Sequence, residues 1–396
     1  MKKKTNYPFI FLHGMFGFGE GDYLNEYFMP YWGMLSGDLI KYLEFYGFEI
    51  KNPSLGGLGS AWDKACQLYA MLTGTRTDFG KVHSEKFGHE RYGRTYDKPL
   101  LEKWDSENKI NILGHSFGAP TIRMFENLLR NGSEEERKGT PKEELSPLFA
   151  GEKGDYIYSI TSLCGCQGEL TISESVPKFY ELLRKATFGL ANLESGRLLQ
   201  KMWDMNADQF GIMAHDDKGN MKKAPLDLKK AIKVSESKDT VFYDLSVKGM
   251  HELNEKLSIN PKIYYFSYPS NCTKPKRFSN KGHYVPMMKM SLAWKPISKA
   301  IGSHIDMKAS NGKYIDKKYA PNDGLVNTAA STAPETEPSV DYNDVDKIKP
   351  GIWHVMDPML YDHLQVVGSF MPPVGFGPLR DLYFNYCRMI AQIGLK

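Results

Sequence analysis

Residues 109–118 read Lys109-Ile110-Asn111-Ile112-Leu113-Gly114-His115-Ser116-Phe117-Gly118. Ile110, Ile112 and Leu113 form a short apolar run of strand character that ends at a glycine. Beyond Gly118 the pattern changes: Ile122, Phe125, Leu128 and Leu129 follow at spacings of three, three and one, which is one face of a helix. Between the two stands a Gly-x-Ser-x-Gly turn, Gly114-His115-Ser116-Phe117-Gly118, which presents a serine hydroxyl for nucleophilic attack. The glycines beside Ser116 let the chain turn sharply without a Cβ clash. The helix start behind the serine offers free backbone N–H groups and partial positive charge where an oxyanion would form. The competing reading is a tight structural turn, but the strand, turn and helix in succession favour a nucleophile.

A chain of 396 residues can bury a large core, as one big α/β domain or as two domains. Lys and Arg number 51 against 47 acids, and no basic stripe interleaved with aromatics stands out, so a nucleic-acid partner is not expected. Nineteen methionines and 13% aromatics lean toward adaptable apolar surfaces. The five cysteines (Cys66, Cys164, Cys166, Cys272, Cys387) are scattered and odd in number, which reads as thiols and not as a disulfide framework. No stretch of eighteen apolar residues exists, so no transmembrane helix is expected. Met1-Lys2-Lys3-Lys4 resembles the positive start of a leader, but the apolar run after it leads into His13-Gly14, which the site requires. No cleavable leader is therefore expected, and localisation stays open.

Strands and helices alternate along the chain, which predicts a mostly parallel central sheet flanked by helices. Pro8 to Leu12 is a buried strand followed by the loop His13-Gly14-Met15-Phe16-Gly17. A helix is predicted over 33–46, a strand from Phe48 to Lys51, and a helix over 60–73 with Trp62, Ala65, Leu68, Tyr69 and Leu72 on one face. From Gly74 to Tyr96 the pattern is irregular and rich in Gly, His and charge, as expected of a piece held by something other than a core, such as a metal. Asn131-Gly132 closes the helix after Ser116, and Tyr156–Leu163 is another strand. Residues 174–205 read as two amphipathic helices, either packed as core or covering the cleft as a lid. Further strands are predicted from Lys262 to Tyr268 and from Ile352 to Met356, then a terminal helix carrying Leu379, Leu382, Tyr383, Tyr386, Met389 and Ile390. The α/β-hydrolase fold accounts for this order, as one domain over 1–396 with insertions at 57–98 and 170–250.

A serine hydroxyl needs a base to take its proton and an acid to fix that base in one tautomer. In this fold the acid and then the histidine follow the serine. His354 sits inside a strand pattern, where an imidazole packs. His363, in the loop Leu360-Tyr361-Asp362-His363 before the last helix, is free to act. Among upstream acids Asp323, in the turn Pro321-Asn322-Asp323-Gly324, is preferred to Asp341, Asp344 and Asp346 in their solvated charged run. An isolated Asn-Asp-Gly is only a turn; the combination makes it a candidate.

The chain resembles the bacterial family I.5 lipases, the thermoalkalophilic group and its clostridial esterase relatives. The shared blocks include Phe11-Leu12-His13-Gly14, Tyr31-Trp32-Gly33, Gly59-Ser60-Ala61-Trp62-Asp63, Gly88-His89-Glu90-Arg91-Tyr92-Gly93-Arg94-Thr95-Tyr96, Asn131-Gly132-Ser133-Glu134-Glu135-Glu136-Arg137, Tyr243-Asp244-Leu245-Ser246-Val247, Asn322-Asp323-Gly324 and Asp362-His363-Leu364. The resemblance implies a catalytic triad of Ser116, Asp323 and His363, with an oxyanion hole from the backbone N–H groups of Met15 and Phe117. It also implies a structural zinc held by Asp63, His83, His89 and Asp244, a four-ligand closed set. An ester or lipid substrate, transient contact with a lipid interface, secretion as the family habit and a monomeric chain are the further expectations. Triacylglycerol hydrolysis is the reading preferred, with a carboxylesterase or polyesterase of shorter or polymeric esters next, and a non-catalytic binding protein last.

Two departures stand out. Where the family places carboxylate ligands for calcium, this chain has Gln365, Phe370 and Met371, and without hard charged oxygens no calcium is expected there. The loop Cys164-Gly165-Cys166-Gln167-Gly168-Glu169 replaces the family's sequence beside the cleft, so substrate fit is expected to differ.

Overall fold

The apolar run ending at His115 is a buried inner strand of a seven-stranded sheet. The computed structural model describes residues 7–192, 205, 208–211, 214–215, 221–222, 227–278, 281–342, 347–368 and 374–393. The sheet strands are β1 (Phe9–Leu12), β2 (Ile50–Lys51), β3 (Ile110–His115), β4 (Ile157–Leu163), β5 (Tyr264–Tyr268), β6 (Ser339–Asp341) and β7 (Trp353–Val355). Their order is β6-β7-β5-β4-β3-β1-β2, and every pairing is parallel. Continuous burial of β1, β3 and β4 is what a parallel sheet covered on both faces requires. Registers such as Leu12 opposite Gly114 and His115 opposite Leu163 bring the carboxyl ends of these strands to one edge. The strand order reverses beside β3, and the crevice beyond such a point is where open α/β sheets bind ligands.

The principal helices are α1 (Ala61–Thr73), α2 (Gly118–Asn131), α3 (Pro177–Asn192), α4 (Leu228–Ser235) and α5 (Phe376–Gln392). Residues of α1 and α2 pack with β3 on one face, around Leu68, Ile122, Phe125 and Phe149. Phe9, Phe11, Trp32 and Leu43 pack against Tyr383, Tyr386 and Ile390 of α5 on the other. Each fully buried large apolar side chain contributes about 2–3 kcal/mol.

The structure departs from these expectations in three places. The helix expected over 33–46 shrinks to Leu39–Phe45, because Gly33 and Gly37 adopt φ of 113° and 141°, outside the helical region. The irregular 74–96 piece is ordered: Arg76–Asp78 pairs with Tyr92–Thr95 around the helix Lys81–Phe87. That helix has no core of its own. Its first N–H groups, from Val82 and His83, donate to the Glu136 carboxylate at 3.2 and 2.7 Å, a local partner that apolar periodicity cannot reveal. The edge strand β6 was not foreseen, since its residues are exposed and carry no apolar pattern. Of the helical pair expected over 174–205, the first is α3; the second lies outside the described residues.

At the turn after β3 the strained residue is Ser116 itself, with φ of 57°. Gly114 is required for another reason: a Cβ there would sit 2.4 Å from the Gly118 carbonyl carbon and 2.6 Å from Ile122 Cδ1. Gly114→Ala is therefore expected to destabilise by about 1–3 kcal/mol through overpacking. The measurement is the denaturation midpoint, and an unmoved midpoint contradicts the close approach.

Candidate active site and metal centre

Ser116 leaves the end of β3 with its N–H donated to the Leu163 carbonyl of β4 at 3.0 Å. His363 comes from the loop after β7, and its backbone N–H donates to the Asp323 carbonyl at 2.9 Å. The three predicted residues meet. His363 Nε2 lies 2.8 Å from Ser116 Oγ, and His363 Nδ1 lies 2.7 Å from Asp323 Oδ2. Asp323 Oδ1 accepts the N–H groups of Leu325 and Val326 at 3.0 and 2.8 Å, so the buried carboxylate is satisfied on both oxygens. An ionised carboxylate only accepts, so the proton rests on Nδ1 and leaves Nε2 to accept from the serine hydroxyl. Packed His354 stays apart, with Nδ1 3.1 Å from the Tyr265 carbonyl.

The loop after β1 carries Met15. His13 Nε2 accepts the Leu55 N–H at 3.0 Å, so the ring proton is on Nδ1, which donates to the Gly14 carbonyl at 2.8 Å. Burial, helped by nearby Lys64, lowers this imidazole to about 3 and keeps it neutral. A peptide unit is planar with C=O and N–H on opposite sides. Holding the Gly14 carbonyl therefore aims the Met15 N–H the other way. Among the described residues no acceptor is paired with the backbone N–H of Met15 or of Phe117.

Ser116 and His363 open on an apolar cleft of about 510 Å³, whose walls include Met15, Phe16, Leu170, Phe179, Leu183 and Trp294. Helix α3 brings Phe179, Tyr180 and Leu183 to it, and the Tyr180 hydroxyl donates to the Phe242 carbonyl at 2.6 Å. The variant loop backs the serine turn: Cys166 N–H donates to the Ser116 carbonyl at 3.2 Å, and its side chain lines the cleft. All five cysteines are free thiols. At the family's calcium position the Gln365 amide donates to the Lys289 carbonyl at 2.8 Å and accepts the Asp362 N–H at 2.9 Å; Phe370 and Met371 lie outside the described residues.

A second cluster lies between α1 and the 74–96 piece. One ligand atom from each of Asp63, His83, His89 and Asp239 falls within 4.8 Å of the others. Asp63 Oδ1, His83 Nε2, His89 Nε2 and Asp239 Oδ2 are buried with no hydrogen-bond partner of normal geometry, the pattern of a set shaped for a cation. Outer partners orient them: Ser60 Oγ donates to Asp239 Oδ1 at 2.6 Å, Gln209 Nε2 to Asp63 Oδ2 at 2.9 Å, and His89 Nδ1 to the Glu90 carbonyl at 2.8 Å. Trp62 stacks on His83 with centroids 4.8 Å apart. Burial alone would lower His83, but the carboxylates of Asp239 and Asp63 outweigh it and lift the ring to about 9.

Asp244, the fourth ligand implied by the resemblance, is not in this set. Its Oδ2 accepts the Ala61 N–H at 2.8 Å and so caps the start of α1, and burial raises its carboxyl to about 7. Asp239 takes the place instead. The two acids flank one short helix, Val241–Asp244, whose N-cap is Thr240. Which of them faces the histidines depends on how that turn docks, and no local signal in the sequence separates them.

A family model described as the lipase-like C-terminal domain matches residues 5–374. Lipase 1 of Staphylococcus aureus is 32% identical over 372 residues, covering 92% of this chain and 51% of that protein. The chain thus spans about half the length of the curated relatives it matches. Among solved structures, EstA from Clostridium botulinum superposes with a TM-score of 0.82 at 32% identity, covering 98% of this chain and 87% of that one. Staphylococcus hyicus lipase superposes with a TM-score of 0.84 at 29% identity, covering 99% and 97%. Because the family model matches residues 5–374 of the 396, the chain belongs to the lipase-like C-terminal domain family.

Proposed function

We propose that this chain hydrolyses carboxylic esters through an acyl-enzyme on Ser116, with triacylglycerols as the substrate class. The observation that carries the reading is the Asp323–His363–Ser116 hydrogen-bond chain at the floor of an apolar cleft. His363 takes the Ser116 proton as the oxygen attacks the ester carbonyl. The tetrahedral oxyanion lies against the N–H groups of Met15 and Phe117, donors fixed before charge develops. His363 then protonates the leaving alcohol, and water activated by the same ring releases the acid. Asp323 and His363 are buried, which keeps the acid and base of the triad out of bulk water.

Asp63, His83, His89 and Asp239 would hold a zinc ion. Nitrogen and oxygen donors in a closed four-ligand set suit that metal in a structural role, since no position is left for substrate. The ion would tie the 74–96 piece and the 239 turn to α1. Helix α3 serves as a lid: Phe179 and Leu183 face the cleft while Leu182 is 66% exposed. Leu35, next to the cleft residue Met34, is exposed, so apolar surface continues outward from the cleft there, as contact with a lipid interface requires. No helix of the described residues is long and apolar enough to cross a membrane.

A second reading, raised by the variant loop that puts Cys166 in the cleft wall, is a carboxylesterase of shorter esters. Rates on p-nitrophenyl butyrate, octanoate and palmitate, each with and without emulsion, separate the two. A cleft of this size and apolarity leads us to expect octanoate and palmitate to exceed butyrate once an interface is present. Turnover confined to butyrate in free solution would reject the lipase reading and keep the esterase.

A further inference from the structure

Tyr31-Trp32-Gly33 has no part in the steps above, yet it is buried between the two loops that carry them. The Tyr31 hydroxyl accepts the Gly14 N–H at 3.3 Å and lies 2.7 Å from His115 Nδ1. His115 Nε2 in turn lies 2.9 Å from the backbone carbonyl of His363. Gly33 N–H donates to the Val367 carbonyl at 2.9 Å, so the same short block grips the histidine loop a second time. The contact is close: a Cβ on Gly368 would meet the Gly33 carbonyl oxygen at 2.1 Å.

The direction of each bond follows from what the groups can do. A carbonyl only accepts, so His115 Nε2 carries a proton and donates it to His363. A neutral imidazole has one proton, so Nδ1 is an acceptor and the Tyr31 O–H donates to it. Burial, reinforced by neighbouring His363, holds the His115 ring well below its ordinary range, in keeping with neutrality.

We propose that Tyr31 and His115 are positioning residues for the hydrolysis, joining the oxyanion loop to the backbone of His363 and holding its ring within reach of Ser116. This rests on the reading of Ser116, Asp323 and His363 as the triad. His363 has its N–H held by the Asp323 carbonyl and its carbonyl held by His115, so its backbone is fixed on both sides. A displacement of about 1 Å at such a base can cost 10²-fold in rate. A second effect adds to this. The two imidazoles stand 4.8 Å apart, centroid to centroid, and the Tyr31 hydroxyl occupies the one lone pair through which His115 could become charged. The imidazolium that forms on His363 during turnover therefore meets a neutral neighbour.

The test is kinetics on p-nitrophenyl butyrate with Tyr31→Phe, His115→Gln, the double variant and His115→Phe, each normalised to active sites titrated by a fluorophosphonate. Tyr31→Phe and His115→Gln are each expected to lower kcat about tenfold with KM within about twofold. The double variant should lose less than the product of the two single losses, because both cut the Tyr31–His115 hydrogen bond that joins their remaining contacts. His115→Phe, which also loses the bond to His363, should fall about 100-fold; the amide N–H of glutamine can replace that bond in part. Values of kcat per titrated site within twofold of the parent, additive losses in the double variant, or losses confined to melting temperature would each overturn the proposal. If His115→Phe does not fold, the Tyr31 and His115→Gln cycle decides alone. Activity retained by Ser116→Ala in the same assay would sink the triad reading itself, a separate outcome.

Discussion

Ser116→Ala is expected to lower kcat on p-nitrophenyl esters by about 10⁶, the loss seen when a triad nucleophile is removed, with little change in melting temperature. The large effect on rate follows from the geometry: Ser116 Oγ is the one atom set 2.8 Å from His363 Nε2 at the cleft floor. The small effect on stability follows from the backbone. Ser116 already sits at φ of 57°, a strained position for any side chain with a Cβ, and alanine adds no new clash there. Asp323→Asn should lose about 10⁴, because an amide in place of the carboxylate can stabilise the wrong tautomer of His363. A companion experiment, covalent labelling by a fluorophosphonate, should mark Ser116 and vanish in the alanine variant. Activity within tenfold of the parent in Ser116→Ala would refute the acyl-enzyme.

The second large effect concerns the Asp63, His83, His89 and Asp239 cluster. Removing a bound zinc leaves two carboxylates and two imidazoles to pair only with one another, His83 and His89 Nε2 standing 3.1 and 3.0 Å from Asp239 Oδ2. Taking one partner out of a buried charged set costs roughly 3–5 kcal/mol. Chelation is therefore expected to lower the melting temperature by about 5 °C, while turnover at low temperature persists, because none of the four residues forms a hydrogen bond with Ser116, Asp323 or His363 among the described residues. Acid should act in the same sense, since neutral imidazoles and ionised carboxylates are the ligating forms. Asp239→Ala should abolish stoichiometric zinc, measured by elemental analysis, whereas Asp244→Ala should keep one ion per chain and lose stability only through the cap on α1. Zinc retained by Asp239→Ala and lost by Asp244→Ala would reverse the assignment. An unchanged melting curve after verified metal removal would remove the structural role.

Much of the site was legible because its parts obey local rules. Gly114 to Gly118 announces itself by a change of period from strand to helix, and His363 and Asp323 follow in loops past predicted strands. At 74–96 the same local reading told that no apolar face holds the piece but missed its paired strands and helix, which are steadied by Glu136 beside the candidate metal cluster. Asp244 came from the resemblance alone, and in the structure that acid caps α1 while Asp239 joins the histidines. Tyr31 and His115 gave no local sign of their link, because they lie 84 residues apart and neither pattern names the other as its partner.

By itself the sequence determined the inner strands and the helices packed on them, the serine turn and the choice of its acid and base, all of which depend on residue type and near-neighbour spacing. The tertiary structure alone decided which of two acids faces the paired histidines, how the short helix after Gly80 is held, and which groups steady His363. Those are contacts between segments distant in the chain, chosen by docking geometry and by the need to satisfy buried polar atoms. No periodicity of a single segment encodes such a choice.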